Sequence, residues 1–407
     1  MYNLLIVTDS FTPDFSPRVS FLVKNLIKDG QSVTVLTEDV ENPFYEIDIQ
    51  GVNICRVGFY KSKPHTVFRK FEWAFKAFLN LCFDYKSSFF LKKWSSVASG
   101  YDAVICSTFS YFPLKPAYKL AGRLGVPFIA DIRDLSEQFT GREYQLHNVP
   151  LFSKWFERVQ CGRRNYYLKE ADVLTTVSPW HQQFLKKFND NVCLIYNGYD
   201  EAFCFSETKS DTFDIVYTGK WLGVEMQDPT LLFNVLENLI GSGTLPQDKV
   251  RVVWYLSKGA DTLNELLARY PISRKISKFA DRVPYSEIPS VLQKSSIVLV
   301  LTNKFSEKGP KGIITTKFFE GLGCEKPILN IISDGSYLAN LINETNAGLS
   351  TDNAVAVEEF LLSEYRQWSS TGCTHQIVNK TAKRTFDRAC QAKQFEAIIE
   401  ALNSKGK

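Results

Sequence analysis

No stretch of the 407 residues approaches the roughly 18 uninterrupted apolar residues of a membrane-spanning helix. The first residues, Met1-Tyr2-Asn3, run straight into a strand-like Leu4–Val7 with no charged leader, apolar core and cleavage site, so no signal peptide is expected. Nine cysteines are scattered from Cys55 to Cys390 without a Cys-x-x-Cys pair or a Cys/His grouping at zinc spacing. That usage fits reduced thiols in a cytoplasmic protein and predicts no metal site. The loop after the first strand reads Thr8-Asp9-Ser10-Phe11-Thr12-Pro13 and lacks Gly-x-Gly-x-x-Gly, which disfavours a dinucleotide cofactor. A Walker-type lysine loop is missing too, and no Asp-x-Asp occurs, so a metal-clamped diphosphate has no support. A formal charge of +4 is too small for this length to argue for nucleic acid as the partner.

What is present is a repeated strand–loop–helix rhythm. After Leu4–Val7, the residues Val19, Leu22, Val23, Leu26 and Ile27 recur three and four apart, and Val33–Leu36 forms the next strand. The pattern returns at Ala103–Cys106, Pro127–Ala130, Val173–Val177 and Val192–Tyr196. A polar stretch, 200–211, precedes a second series that begins at Phe213–Tyr217 and runs through 250–256, 297–301 and 327–332. Parallel strands joined by helices make an α/β fold. The restart places a domain boundary near residue 205: 1–204 is one domain and 205–384 the other. The apolar face Phe395, Ile398, Ile399 and Leu402 makes the last stretch, about 385–407, a helix that could return to the first domain.

Ligands of open parallel sheets bind beyond the carboxyl ends of the strands. In the second series, Tyr217-Thr218-Gly219-Lys220 ends a strand with a glycine that lets backbone approach a phosphate and a lysine that adds charge. The segment 309–317 is rich in glycine and lysine and enters a helix near Thr315 and Thr316, whose free amides attract a diphosphate. Lys317 and Glu320 follow on that helix, and Glu320 could accept the hydroxyls of a ribose. In the first series, Ala130-Asp131-Ile132-Arg133-Asp134 puts three charges at the end of a strand. Asp131 or Asp134 could orient an acceptor hydroxyl and Arg133 could contact phosphate; alternatively Asp134 caps a helix and Arg133 pairs with Asp131.

These residues carry a resemblance to glycosyltransferase family 4, of the GT-B type. The stretch from Phe11-Thr12-Pro13 to Ser16-Pro17-Arg18 resembles that family's acceptor-side start, and Tyr196-Asn197-Gly198-Tyr199-Asp200 with Phe203 is similar to its interdomain element. Tyr217–Lys220 resembles the donor-side phosphate loop, and Lys317-Phe318-Phe319-Glu320 with Lys326-Pro327-Ile328 resembles its "K-x-x-E … G-K-P" helix. The resemblance implies two Rossmann-like domains facing across a cleft, and a hexosyltransferase-like enzyme of bacterial polysaccharide or lipid-linked glycan synthesis. It implies metal-independent transfer with retention, and no cofactor beyond the nucleotide-sugar donor. Catalytic candidates are Asp131, Arg133 and Asp134. Donor candidates are Gly219, Lys220, Thr315, Thr316, Lys317 and Glu320, with Ser16 and Arg18 on the acceptor side or in a phosphate loop. Three features depart from the family pattern, the first being that the histidine the family often has close to Asp131–Asp134 is absent here. Gly312 stands where a glutamate is usual, and no second phosphate-binding base follows Lys220, a charge that Lys304, Lys308, Lys311 or Lys317 could supply.

An insertion at about 59–97, between the second and third expected strands of the first domain, interleaves basic and aromatic residues. Lys61, Lys63, Arg69, Lys70, Lys76, Lys86, Lys92 and Lys93 alternate with Phe68, Phe71, Trp73, Phe75, Phe78, Phe83, Phe89, Phe90 and Trp94. Two readings stay open: peripheral contact with an anionic membrane that presents a lipid-linked acceptor, or helices with packed aromatics and solvated lysines. An epimerase of the same architecture and a non-catalytic scaffold are the rival functions.

Overall fold

The computed structural model describes residues 1–39, 43–97, 99–138, 150–302, 312–332, 335 and 337–405. The chain divides into two compact units, Met1–Tyr196 with Arg388–Lys407, and Asn197–Asp387. The boundary falls eight residues before the one read from sequence. The reason is local: Tyr199 bridges to Asp387, and its amide donates to the Phe386 carbonyl at 3.0 Å, so 197–204 is tied into the second unit.

The first unit contains β1 (Asn3–Thr8), β2 (Ser32–Glu38), β3 (Asn53–Val57), β4 (Ala103–Thr108), β5 (Phe128–Ile132), β6 (Val173–Thr176) and β7 (Val192–Leu194). They form one parallel sheet in the order β3-β2-β1-β4-β5-β6-β7. Its helices are α1 (Pro17–Lys28), α2 (Val67–Phe83), α3 (Tyr85–Lys93), α4 (Leu114–Leu124), α5 (Pro150–Lys169) and α6 (Pro179–Leu185). The central strands β1 and β4 are buried on both faces, which parallel sheets covered by helices require.

The second unit contains β8 (Phe213–Lys220), β9 (Val250–Lys258), β10 (Ser277–Ala280), β11 (Ile297–Leu301), β12 (Ile328–Ile331) and β13 (Gly348–Thr351), parallel in the order β10-β9-β8-β11-β12-β13. Its helices are α7 (Thr230–Gly241), α8 (Ala260–Leu267), α9 (Pro271–Ile276), α10 (Ile288–Lys294), α11 (Thr316–Gly323), α12 (Tyr337–Thr345), α13 (Ala354–Thr371) and α14 (Lys380–Arg384). The last helix, α15 (Arg388–Lys405), packs in the first unit, where Ala392, Phe395 and Ile399 join Val19, Leu22, Val23 and Leu26 of α1 in one core. No described helix is long and apolar enough to cross a membrane.

The insertion sits between β3 and β4, the third and fourth strands, because β3 is a short, exposed edge strand whose pattern gives no apolar run. Its two helices behave differently. On α3 and the turn after it, Phe90 and Trp94 are fully buried with ring centroids 4.9 Å apart at a tilt, and Phe112 lies 4.8 Å from Phe90. On α2, Phe68, Phe71, Phe75 and Phe78 face solvent.

Candidate active site

In the first unit the carboxyl end of the sheet gathers Asp9 after β1, Ser107 and Phe109 at the end of β4, and Asp131 to Asp134 at the end of β5. Asp131 is fully buried. Arg18 Nε lies 2.8 Å from its Oδ2 and Arg18 Nη2 2.7 Å from its Oδ1, while Ser107 Oγ donates at 2.6 Å and Thr175 Oγ1 at 2.7 Å. Burial pushes the carboxyl up, but the Arg18 charge and these hydrogen bonds prevail and hold it below its ordinary value. Arg18 Nη1 in turn donates to the carbonyls of Ile195 and Tyr196 at 3.0 and 3.2 Å. Arg18 and Asp131 thus clamp the start of α1 to β5 and to the chain's exit from the unit. Ser16 is buried against Ser20, 2.9 Å between hydroxyls. With their polar atoms so engaged, Ser16, Arg18 and Asp131 hold structure, and two further charges stand at the same end of β5.

Those charges are Arg133 and Asp134. Arg133 does not pair with Asp131, whose carboxylate is already engaged by Arg18, Ser107 and Thr175. It pairs with Asp9 at 2.7 Å, with Phe109 beside it. Asp9 was not singled out by sequence; the available signal was a carboxylate directly after the first strand. Asp134 is exposed and does not cap a helix; it accepts from Gln138 Nε2 at 3.2 Å.

Gln138 Oε1 accepts from the Leu135 amide at 3.1 Å and from His181 Nε2 at 2.6 Å, and His181 Nδ1 accepts from Ser178 Oγ at 2.6 Å. Burial lowers the His181 pKa to about 4. The neutral imidazole therefore braces the loop that carries Asp134. The unfolded chain takes a proton on this histidine near pH 6.5 while the folded chain does not. His181's share of stability is therefore complete above pH 6.5 and falls as pH drops toward 4, by about 1.4 kcal/mol per pH unit. A His181→Gln variant is expected to lose that slope; denaturant midpoints at several pH values between 4 and 7 check it.

In the second unit, Gly219 and Lys220 end β8 at a register shift against β9. Gly219 has φ +119, and a Cβ there would come within 3.0 Å of Lys317 Nζ. Glycine is needed both for the backbone and for the approach of that lysine. Lys220 is exposed and its carbonyl accepts from the Tyr217 hydroxyl at 2.7 Å. Lys317 lies on the first turn of α11, half-buried, 5.0 Å from the Tyr217 ring, and makes no hydrogen bond or ion pair among the described residues. Burial lowers its pKa, and nearby Glu320 opposes that shift. Thr315 is the N-cap of α11 but contributes no side-chain bond to it, and Thr316 follows as the first helical residue. Glu320 is buried one turn on.

The end of α11 is anchored: a Cβ on Gly323 would meet Phe203 Cβ and its carbonyl oxygen at 2.8 Å. Lys326 is buried and donates to the Thr374 carbonyl at 3.2 Å, so it is a strut. Gly312 has φ +68, a conformation a glutamate would adopt only with strain. Lys304, Lys308 and Lys311, with the rest of the loop 303–311, lie outside the described residues. Gly219, Lys220, Lys317, Glu320 and the head of α11 thus come together. The described residues contain no cluster of three or more His, Cys, Asp or Glu suited to a metal ion.

Residues 18–203 match the model of Glycosyltransferase Family 4. No curated protein matches the chain by sequence. Among solved structures, sucrose-phosphate synthase from Thermosynechococcus elongatus aligns at TM-score 0.61 and 14% identity over 99% of this chain and 100% of that one. HepE from Anabaena, solved in complex with UDP and glucose, aligns at TM-score 0.62 and 13% identity over 99% and 100%. WaaG, a glycosyltransferase involved in lipopolysaccharide biosynthesis, aligns at TM-score 0.53 and 12% identity over 99% and 98%. The chain folds as two Rossmann-like domains, as in these solved structures, and its residues 18–203 match Glycosyltransferase Family 4.

Proposed function

We propose that the chain moves a sugar from a nucleotide-sugar donor to a glycan or lipid-linked acceptor in cell-surface polysaccharide synthesis, with retention and without a metal ion. The observation that carries this reading is the placing of Lys317 against Gly219, at the head of a helix whose N-cap, Thr315, makes no side-chain bond to it. Departure of the nucleotide builds negative charge on the diphosphate. A fixed cation and aligned amides stabilise that charge without reorganising, in place of a metal ion. Lys220 adds a mobile charge and Glu320 accepts ribose hydroxyls. On the acceptor side, Asp134 orients the attacking hydroxyl, with Arg133 held by Asp9 beside it. The complexes of HepE with UDP, glucose and UDP-glucose support a nucleotide-sugar donor, and the named role of WaaG supports a surface glycan. The acceptor is proposed to be met at the cytoplasmic face of a membrane, through peripheral contact by the insertion.

A titration of UDP-, GDP-, ADP- and dTDP-sugars against the purified chain tests the reading. One family of nucleotides should bind, and an acceptor extract should yield a product one sugar larger. Binding of none sinks the transferase reading in favour of a scaffold, and an epimerised donor formed without acceptor sinks it in favour of an epimerase.

A further inference from the structure

The helix α2 is built inside out for a soluble domain. Phe68, Phe71, Phe75 and Phe78 recur three and four apart on one stripe and are 79%, 72%, 65% and 57% exposed. Arg69, Glu72 and Lys76 take the face turned to the protein. Arg69 lies 3.7 Å over the Tyr60 ring and donates to the Ser62 carbonyl at 2.9 Å. Glu72 accepts from the Lys61 and Ser62 amides at 2.8 and 2.9 Å and pairs with Lys76 at 2.7 Å. Soluble helices do the reverse, and an exposed apolar stripe of this length marks a surface that something covers.

Charge indicates what covers it. The only acidic residues of 59–97 are Glu72 and Asp84, and both are used internally, Asp84 by the Tyr111 hydroxyl and Lys115. Lys61, Lys63 and Lys70 remain exposed around the stripe, as do Lys92 and Lys93 at the end of α3. A second copy of the same face would set lysine against lysine, which is unfavourable. A lipid interface instead offers hydrocarbon to the rings and phosphates to the lysines.

We propose that α2 is an interfacial helix that lies along a lipid bilayer with Phe68, Phe71, Phe75 and Phe78 in the headgroup–acyl boundary. The rings carry attachment and Lys63 and Lys70 only tune it. This rests on the proposed membrane contact, and it replaces mainly electrostatic attachment with mainly apolar attachment. Of the basic residues that the sequence interleaves with the aromatics, Arg69 and Lys76 are spent on holding the helix to the domain.

Flotation of the full chain with pure phosphatidylcholine vesicles, and with vesicles that also contain phosphatidylglycerol, tests this at low and high salt. Recovery is expected with both, a few-fold higher with the anionic lipid at low salt. Phe71→Ser with Phe75→Ser should abolish flotation on both while the melting temperature and nucleotide binding stay as in the parent. Lys63→Gln with Lys70→Gln should reduce only the anionic increment. Flotation on anionic vesicles alone, released by salt, overturns the inference and leaves membrane contact standing. No flotation on either lipid overturns both. A lipid-free dimer that the serine variant disperses assigns the stripe to a second copy and overturns the inference as well.

Discussion

Asp131→Asn is expected to lower the unfolding free energy by about 3–5 kcal/mol, the range for removing one partner of a buried ion pair. Against the roughly 5–15 kcal/mol that stabilises a domain, that is a large loss. The charge left behind is Arg18, whose guanidinium would stay buried between β5 and the carbonyls of Ile195 and Tyr196. Ser107 and Thr175 would each donate toward a neutral amide that cannot accept as many bonds. Pairing Asp131→Asn with Arg18→Met removes the orphaned charge, so the double variant should melt above the sum of the two single losses, the sign of direct coupling. The pH dependence has a definite sign. The Asp131 pKa is depressed in the folded state, so its contribution is complete above about pH 4, the ordinary range for aspartate, and is lost as pH falls below it. Differential scanning calorimetry of the four proteins decides. A single variant that melts like the parent yet loses turnover would return Asp131 to the chemistry.

The alternation of strands and helices was legible because the central strands β1, β4, β8 and β11 each carry a buried apolar stretch with Val, Ile or Leu at its centre. The edge strands β3 and β10 were not, since each keeps an exposed, mixed surface. Gly219, Lys220, Lys317 and Glu320 could be nominated because a strand end and a helix head each leave a local mark. What sequence did not supply was pairing. Arg18 and Asp131 are 113 positions apart, and Arg133 and Asp9 are 124 apart. Such contacts depend on sheet order, which no local spacing encodes. Sequence left the role of α2 open for a related reason. Interleaved Lys and Phe give one helical pattern whichever face is turned inward, and only the acceptors on the domain, Ser62 and the Phe59 carbonyl, decide it.

Lys317→Met is expected to separate function from stability. Lys317 is a half-buried cation with a lowered pKa and no ion-pair partner among the described residues. Such a group costs folding free energy, so a methionine of similar length and no charge should leave the melting temperature equal or higher. Donor binding should move the other way. A hydrogen bond to a charged group contributes about 1.5–3 kcal/mol, so affinity for the nucleoside diphosphate should fall roughly 10- to 150-fold. Turnover should fall further than affinity, because charge on the diphosphate grows as the glycosidic bond breaks. Lys317→Arg should not rescue in full. A guanidinium is wider than an ammonium, and the gap beside Gly219 leaves 3.0 Å to the Nζ position from even a single added carbon. The donor should also raise the pKa of Lys317, so that binding takes up a proton at alkaline pH. Calorimetry in buffers of different ionisation enthalpy would read that uptake in the parent and find none in the methionine variant. Equal donor affinity in the two proteins would remove Lys317 from the site and leave the diphosphate to Lys220 and the head of α11.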